Sequence, residues 1–438
     1  MTKVVVVGAG PVGLYSAIML ARRGHQVDVV DRDPGPEHAE WRRRGVMQFR
    51  HPHFFRHLVR QTLLDTAPDV WDALVAAGGI SCRLPGMPEL MTNLQCRRST
   101  FEQTLRATAA GEPRASLRTG HADRIVAERG RVAGVVVDGA TVDADLVIDA
   151  SGRAGRLADE WRPAGEGGPC GFSYVSRMYR ATRPEDVAEL KSNGVPLGKL
   201  YDGYLVIVFP QDAGTLSALI VRASDDDGLA QLREPAKFDA AMRAVPHLAR
   251  WTDPDGFEPI TDVMPGGGLT NTYARQPRLP GLLSVGDSVC TTNPAAGRGV
   301  SLGWQQAGAL IAMLAEDGRD PAATAQRFEG WCDEQIRPWY EDHVYWDATL
   351  LSRFRGADID LDARIPSDVI CAAGAVDPEI MPAAGPYMGM IALPSILRSV
   401  EERARTVLRT GWRPPLGEGP TRDALVELIG AATPLARV

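Results

Sequence analysis

The sequence predicts an α/β fold, with a parallel sheet opening the chain, an antiparallel β-sheet inserted into it, and a helical C-terminal region. Three observations carry this. The β-branched run Val4 to Val7 is followed at once by apolar residues at helical spacing and by a second apolar run ending at Asp31. Residues 170–225 are dense in β-formers, as in "CGFSYVSRMYRA", "GYLVIVFPQD" and "TLSALIVRA", which reads as antiparallel strands of a separate sheet. The chain beyond about residue 322 is largely helical in pattern, broken by proline-containing loops near 363–395.

The first segment is the most informative. Val4 to Val7 read as a strand buried on both faces of a parallel sheet. Gly8, Gly10 and Gly13 then form G-x-G-x-x-G, with Val12 inside the motif. Leu14 to Arg23 continue as a helix, Gly24 ends it, and Gln26 to Val30 make a second strand closed by Asp31 and Arg32. Between a strand and a helix, with an acid at the end of the next strand, this is a Rossmann-like dinucleotide fingerprint. The glycines allow a tight turn and let a pyrophosphate reach the helix N-terminus, where free N–H groups and the helix dipole favour negative charge. Asp31 is placed to accept hydrogen bonds from a ribose 2′-OH.

Residues 34–70 are polar and Arg-rich around "AEWRRRGVMQFRHPHFFRHL" and read as a loop followed by a helix. His51 and His53 there read as loop or helix-cap histidines. Residues 98–110 read as a capped helix, and residues 124–149 as hairpin strands ending in the buried strand "ADLVIDASG". The stretch "VGDSVCTTNPAAGRGVSLGW" (285–304) sets small residues around Asp287, Pro294, Gly297 and Gly299 before a helix running from Val300 to about Glu316. On physics alone it is an anion site, because backbone donors gather at a helix start. The expected domains are 1–165 and 275–322 for a nucleotide-binding unit in two parts, 166–274 for a substrate-binding β-sheet, and 323–438 for the helical region.

Composition bounds the function. A chain of 438 residues holds two or three domains. A net charge of −7 with no basic cluster interleaved with aromatics argues against nucleic acid. Six scattered cysteines without a C-x-x-C pair fit a reduced cytoplasm and give no metal site. The first strand begins at once, which leaves no room for a secretory signal. No apolar run approaches the ~20 residues of a membrane span. A cytoplasmic enzyme acting on a small molecule is expected.

Taken together, the order of these segments resembles the flavoprotein monooxygenases of the p-hydroxybenzoate hydroxylase fold, over roughly residues 1–315. The resemblance implies FAD, held by Gly8, Gly10, Val12 and Gly13 with Asp31 and Arg32 at one end. In "WRRRGVMQF" it implies that Arg44, followed by Gly45, reaches the flavin together with Gln48. In "CRRSTFEQTLR" it implies that Arg98 lies along the ribityl–phosphate chain. Asp149 and Gly152, after the buried strand, complete the implied contacts on that side. In the second motif, a Gly-Asp followed by P-x-x-G-x-G, Asp287 would bind the ribityl hydroxyls. Pro294, Gly297 and Gly299 would lie against the isoalloxazine, and the helix starting at Val300 would point at the flavin N1–C2 carbonyl.

The implied chemistry is transfer of one oxygen atom of O2, through a hydroperoxide on flavin C4a, to an electron-rich aromatic ring, alkene or heteroatom. The protein then has to position the substrate and exclude water, and no residue stands out as catalytic. Pocket candidates are Tyr174, Ser176, Met178, Tyr201, Tyr204, Val206 and Val208, with Pro294 from the flavin loop. One departure bears on the reductant. Family members that take hydride from NAD(P)H carry an Asp-Gly pair, then a serine and an arginine, where this chain has "LVIDASGRAGRLADEW". Direct docking of NAD(P)H and supply of electrons by a separate flavin reductase both stay open. Halogenation is not expected, since the chain has no lysine between Lys3 and Lys191 and no W-x-W-x-I-P segment. The competing readings are an FAD-dependent reductase or dehydrogenase of an unsaturated substrate and a non-enzymatic carrier. The intact flavin glycines speak against the carrier.

Overall fold

The computed structural model describes residues 2–36, 41–43, 45–83, 92–192, 198–316 and 320–432. Its first layer is a five-stranded, all-parallel sheet in the order Leu282–Ser284, Leu146–Asp149, Lys3–Val7, Gln26–Asp31 and Ala115–Thr119. Val4, Val5 and Val6 are fully buried (0%), each stabilising the layer by about 1.5–3 kcal/mol relative to exposure. The strand latest in sequence, Leu282–Ser284, pairs with Leu146–Asp149, whose other neighbour is Lys3–Val7. That pairing carries the second motif back to the first. The helices that follow the two motifs, Pro11–Arg22 and Gly299–Glu316, pack together: Tyr15 stacks on Trp304 at 4.5 Å, and Trp304 Nε1 donates to the Pro11 carbonyl at 3.1 Å.

Beside this layer a three-stranded meander, Ala122–Glu128, Arg131–Val137 and Ala140–Asp143, leads into the buried strand Leu146–Asp149. The helix expected at 98–110 is Arg98–Gly111, but its cap is not local. The Arg97 side chain at the N-cap makes no capping bond and instead donates to Asp212 Oδ2 through Nε and Nη2 at 2.9 Å and 2.6 Å. Buried Asp212, 115 residues away, also accepts from Arg97 N–H at 2.6 Å and from Thr100 Oγ1 at 2.7 Å, placing a carboxylate at the positive helix end.

The second layer is an antiparallel sheet in the order Gly198–Tyr201, Tyr204–Gln211, Thr215–Ala223, Phe172–Ala181 and Phe257–Pro259, with Met264–Gly266 also paired to Phe172–Ala181. Its two faces differ. Val175, Tyr204, Val206, Val208, Ala218 and Ile220 pack with Phe238, Leu425 and Ile429 from the helices Pro235–Ala244 and Arg422–Gly430. Phe172, Tyr174, Ile207, Leu219 and Val221 form the opposite face, against Leu350 and Phe354 of the helix Arg337–Phe354. The C-terminal helices Pro321–Gln335, Arg337–Phe354, Ser367–Ala373, Met381–Gly389 and Glu401–Arg409 join the core of the parallel-sheet layer. Among the described residues no helix is long and apolar enough to cross a membrane.

Candidate functional site

The glycines of the first motif do different work. A Cβ on Gly8 (φ +108°) would stand 2.4 Å from the Ala150 carbonyl oxygen, and one on Gly13 would stand 1.9 Å from the Gly8 carbonyl oxygen. Both are required by packing. A Cβ on Gly10 would meet only Arg43 Nη1, at 4.0 Å, so this position keeps open space over the start of the helix. The two motifs interlock through Val12, whose side chain would lie 3.2 Å from a Cβ on Gly286 and 2.3 Å from one on Gly303.

Beside the loop runs a ladder of buried charges. Asp31 Oδ2 accepts from Ala9 N–H at 2.6 Å and from Arg43 Nη2 at 2.5 Å. Arg43 Nη1 donates to Glu102 Oε2 at 2.6 Å, and Glu102 also accepts from Arg98 Nε. Burial opposes the Arg43 charge, but Glu102 and Asp31 outweigh it and hold the guanidinium above its usual range. Arg43 was missed at the sequence level, because three consecutive arginines give no pattern that says which one turns inward. Arg44 lies outside the described residues. Arg32 is exposed, and its Nη2 would stand 3.6 Å from a Cβ on Gly45. Gln48 sits in the short 3-10 turn Met47–Arg50, half-buried.

In the second motif the Asp287 side chain makes no hydrogen bond to any described residue, and burial pushes its carboxyl upward against the pull of Arg98 and Arg153. A Cβ on Gly299 would lie 3.6 Å from Asp287 Oδ1, so the carboxylate stands at the start of the helix Gly299–Glu316, which Val300 continues. Asn293 caps the preceding turn by accepting from Ala295 N–H at 3.1 Å. Pro294 opens that turn and is exposed. Gly297 closes it with φ +62°, where a Cβ would press to 3.1 Å from the Phe54 carbonyl oxygen. Arg298, between the two loop glycines, turns into the C-terminal helices. Its Nη1 donates to Asp342 Oδ2 at 3.1 Å, its Nη2 bonds the Tyr387 hydroxyl, and it sits 5.0 Å from the Trp339 ring. Tyr387 and Arg364 complete Asp342 at 2.7 Å each.

Two expectations need correction. Asp149 is fully buried, and the hydrogen bonds of its side chain go to the protein's own groups. Its Oδ1 accepts from Ser151 N–H at 3.1 Å and from Ser151 Oγ at 2.5 Å, with Ser288 Oγ at 3.5 Å. It joins the strand end to the second motif, and Gly152 N–H reaches the same Ser288 hydroxyl at 3.1 Å. A Cβ on Gly155 would lie 1.8 Å from Ser151 Oγ, so any side chain there would have to displace that hydroxyl. The second correction concerns the pocket. Tyr201, Tyr204, Val206 and Val208 belong to the far face of the antiparallel sheet, and the Tyr204 hydroxyl donates to the Pro420 carbonyl at 2.8 Å. Tyr174, Ser176 and Met178 share the other face by alternation, where register sets Leu219 beside Ser176 and Ile207 beside Leu219. Strand alternation could have excluded Val206 and Val208 and selected Ile207.

His51 and His53 lie between the charge ladder and this face. His51 Nδ1 is 2.8 Å from Ser176 Oγ, and its ring meets Tyr174 edge-on at 4.7 Å. His53 Nε2 is 3.1 Å from Arg98 Nη1. A cleft of about 350 Å³ opens here, with Arg43, Met47, Arg50, His51, Met264 and Pro265 in its wall.

The open space at Gly10, the Asp287 carboxylate at a helix start and the adjoining ladder of paired charges fit a dinucleotide that spans both motifs. Comparison with known proteins decides which one, since residues 1–326 match the family described as FAD binding domain. The chain belongs to this family. It is an FAD-dependent oxidoreductase. It is 27% identical over 343 residues, 72% of this chain and 76% of the relative, to a menaquinone reductase of Mycolicibacterium smegmatis. Its fold is that of a flavin-dependent brominase (TM-score 0.67, 16% identity, covering 92% of this chain and 99% of that one). It is also that of a probable FAD-dependent monooxygenase from Pseudomonas aeruginosa (TM-score 0.61, 16% identity, 81% and 98%).

Proposed function

We propose that this FAD enzyme is a monooxygenase that inserts one oxygen atom of O2 into a small, electron-rich organic substrate, aromatic or alkene. The observation that carries the reading is a cleft beside the first motif. Arg42, Arg43, Met47, Phe49, Arg50 and His51 face residues 262–265 across a volume of about 350 Å³, suited to a ring-sized molecule, and Arg43 in its wall also stands 4.0 Å from where a Cβ on Gly10 would lie.

In this reading Gly8, Gly10 and Gly13 carry the pyrophosphate beside Arg43, Asp31 holds the ribose, and Arg98 and Asp287 line the ribityl chain. Gly297, Gly299 and Pro294 border the ring. The bound flavin supplies two-electron activation of O2, one atom entering the substrate and the other leaving as water with two electrons from NAD(P)H. The chain's own contribution is to orient and to keep dry. The N-terminus of the helix Gly299–Glu316 favours negative charge at the ring. Arg298 and Asp342 hold the loop still, and the sheet face excludes water from the transfer. The lack of any lysine between Lys3 and Lys191 supports oxygenation over halogenation.

NAD(P)H docking directly is the reductant we favour, with a separate flavin reductase as the alternative. A second reading, reduction of an unsaturated substrate, is favoured by the likeness to the menaquinone reductase. The test is NADPH oxidation by the purified yellow protein, with and without a generic flavin reductase, following O2 uptake and H2O2. O2 uptake that yields H2O2 without substrate and less H2O2 with a productive phenol supports the proposal. A reduced enzyme that stays stable in air refutes it.

A further inference from the structure

One helix, Arg337–Phe354, grips the flavin loop at both ends. At Arg298 the grip is Asp342, and at Asn293 it is Asp347, a carboxylate only 4% exposed. Asp347 Oδ2 accepts from Asn271 Nδ2 at 2.7 Å, and Oδ1 from Asn293 Nδ2 at 3.0 Å. Asn271 stands on the strand Thr270–Tyr273. Neither amide is free to turn over. Asn271 Oδ1 accepts from the Asn293 backbone N–H at 2.7 Å, and Asn293 Oδ1 from the Ala295 N–H at 3.1 Å. The third neighbour is His343, one helical turn back. Its Nδ1 lies 3.2 Å from Arg298 Nη1, which can only donate, so the ring proton sits on Nε2, 3.7 Å from Asp347 Oδ1. Asp347 therefore faces three N–H groups, and these partners offer it no acceptor.

We infer that the ionised Asp347 carboxylate is a latch on the flavin loop, positioning Asn293 and the turn Pro294–Ala296 that follows it, and that uptake of a proton opens the latch. A proton on either oxygen sets a donor against an amide N–H that cannot turn away without breaking its bond to the backbone. One of the two Asn bonds is then lost. The surrounding charges bring this within reach. Arg298, from the loop, favours the ionised form but is itself matched by Asp342. His343 is neutral, its ring pulled well down by burial and then by Arg298 and Arg56. Cys170, ahead of the strand Phe172–Ala181, stays a thiol because burial pushes it up to about 11. Burial outweighs both amides at Asp347 and raises it to about 6, so the latch is closed above that pH and open below it. The inference rests on the loop bordering the flavin and not on which reaction the flavin performs, so it holds for an oxygenase and for a reductase.

The test is a titration of the FAD-loaded protein between about pH 5 and about pH 8, above the range in which His51 and His53 titrate. It is read by the visible circular dichroism of the flavin and by the carboxylic C=O stretch in infrared difference spectra. Both signals should titrate together, and FAD should bind about tenfold more weakly with the latch open, the worth of one hydrogen bond to a charged group. Asp347→Asn sets an NH2 against a fixed N–H. It should bind FAD as weakly at the alkaline end as the unmodified protein does at the acid end, and lose both titrations. Asn271→Ala removes one donor to the carboxylate and should move the midpoint up by about one unit. A flavin signal that stays flat while the carboxyl titrates, or a titration that survives in Asp347→Asn, overturns the latch. If Asp347→Asn does not fold, the Asn271→Ala midpoint decides, and an unmoved midpoint overturns it as well. Oxygen uptake plays no part in these readouts, so the latch and the monooxygenase reading fail separately.

Discussion

Asp342→Asn tests whether the C-terminal helices hold the flavin loop. Arg298 and Asp342 are 3% and 1% exposed, and the carboxylate takes bonds from Arg298, Tyr387, Arg364 and Ser367. Removing its charge leaves the Arg298 guanidinium buried among Trp339, Trp346 and Tyr387, and breaking a buried pair in this way costs about 3–5 kcal/mol. Arg298 lies between Gly297 and Gly299, so part of that cost falls on the cofactor. If ~1.4 kcal/mol of it reaches the loop, FAD affinity drops about tenfold. Urea unfolding followed by tryptophan fluorescence, and FAD titration of the apoprotein, read the two effects. Adding Arg298→Met should restore much of the stability, because the uncompensated charge is gone. Unchanged unfolding and unchanged FAD affinity in Asp342→Asn would refute the reasoning.

Gly10→Val should fold but purify without FAD, whereas Gly13→Ala, whose Cβ would stand 1.9 Å from the Gly8 carbonyl oxygen, should fold poorly; thermal melts and flavin content separate them. Asp287→Ala should weaken FAD binding by about 1.5–3 kcal/mol with an unaltered melt, and an unchanged dissociation constant would count against its role. Tyr204→Ala should cost about 3–5 kcal/mol of stability without changing the ratio of H2O2 to product, since Tyr204 packs on the far face of the sheet. His51 and His53 are pulled to about 4 and about 3, first by burial and then by Arg50 and Arg98 respectively. The unfolded chain therefore binds more protons than the native one below pH ~6.5. Stability should rise with pH from about 3 to 6.5 on their account, His51 alone contributing roughly 3 kcal/mol. Asp347, raised by burial to about 6, acts in the opposite sense between about 4 and 6. Urea midpoints at pH 5 and 7 measure the net slope, which should flatten in the variant His51→Gln with His53→Gln.

What the sequence disclosed and what it hid divide along a physical line. The first motif was legible because strand, turn and helix are local, and Gly8 and Gly13 are demanded because a Cβ on either would stand 2.4 Å or 1.9 Å from a backbone carbonyl oxygen. The antiparallel sheet was legible from its β-formers, but its faces were not assigned, because Tyr201, Tyr204, Val206 and Val208 are as apolar as Ile207 and Leu219. Alternation separates the two sets, and only the partner layers say which set faces the cofactor. The roles of Arg43, Asp212 and Arg298 were hidden for a different reason. Each acts on a partner 44 to 115 residues away in the chain, which no local pattern can signal. His51 read as a loop histidine until Ser176, 125 residues later, was brought beside it.

The most direct test of the central claim is isotopic. The FAD-loaded protein is reduced without air, mixed with ¹⁸O2 and a panel of small phenols and aromatic acids, and the products are weighed by mass spectrometry. Oxygen transfer predicts a product heavier than its substrate by one ¹⁸O atom, and by one ¹⁶O atom when ordinary O2 is used. A product that gains two hydrogens whatever the isotope, or recovery of every electron as H2O2 across the whole panel, would contradict it.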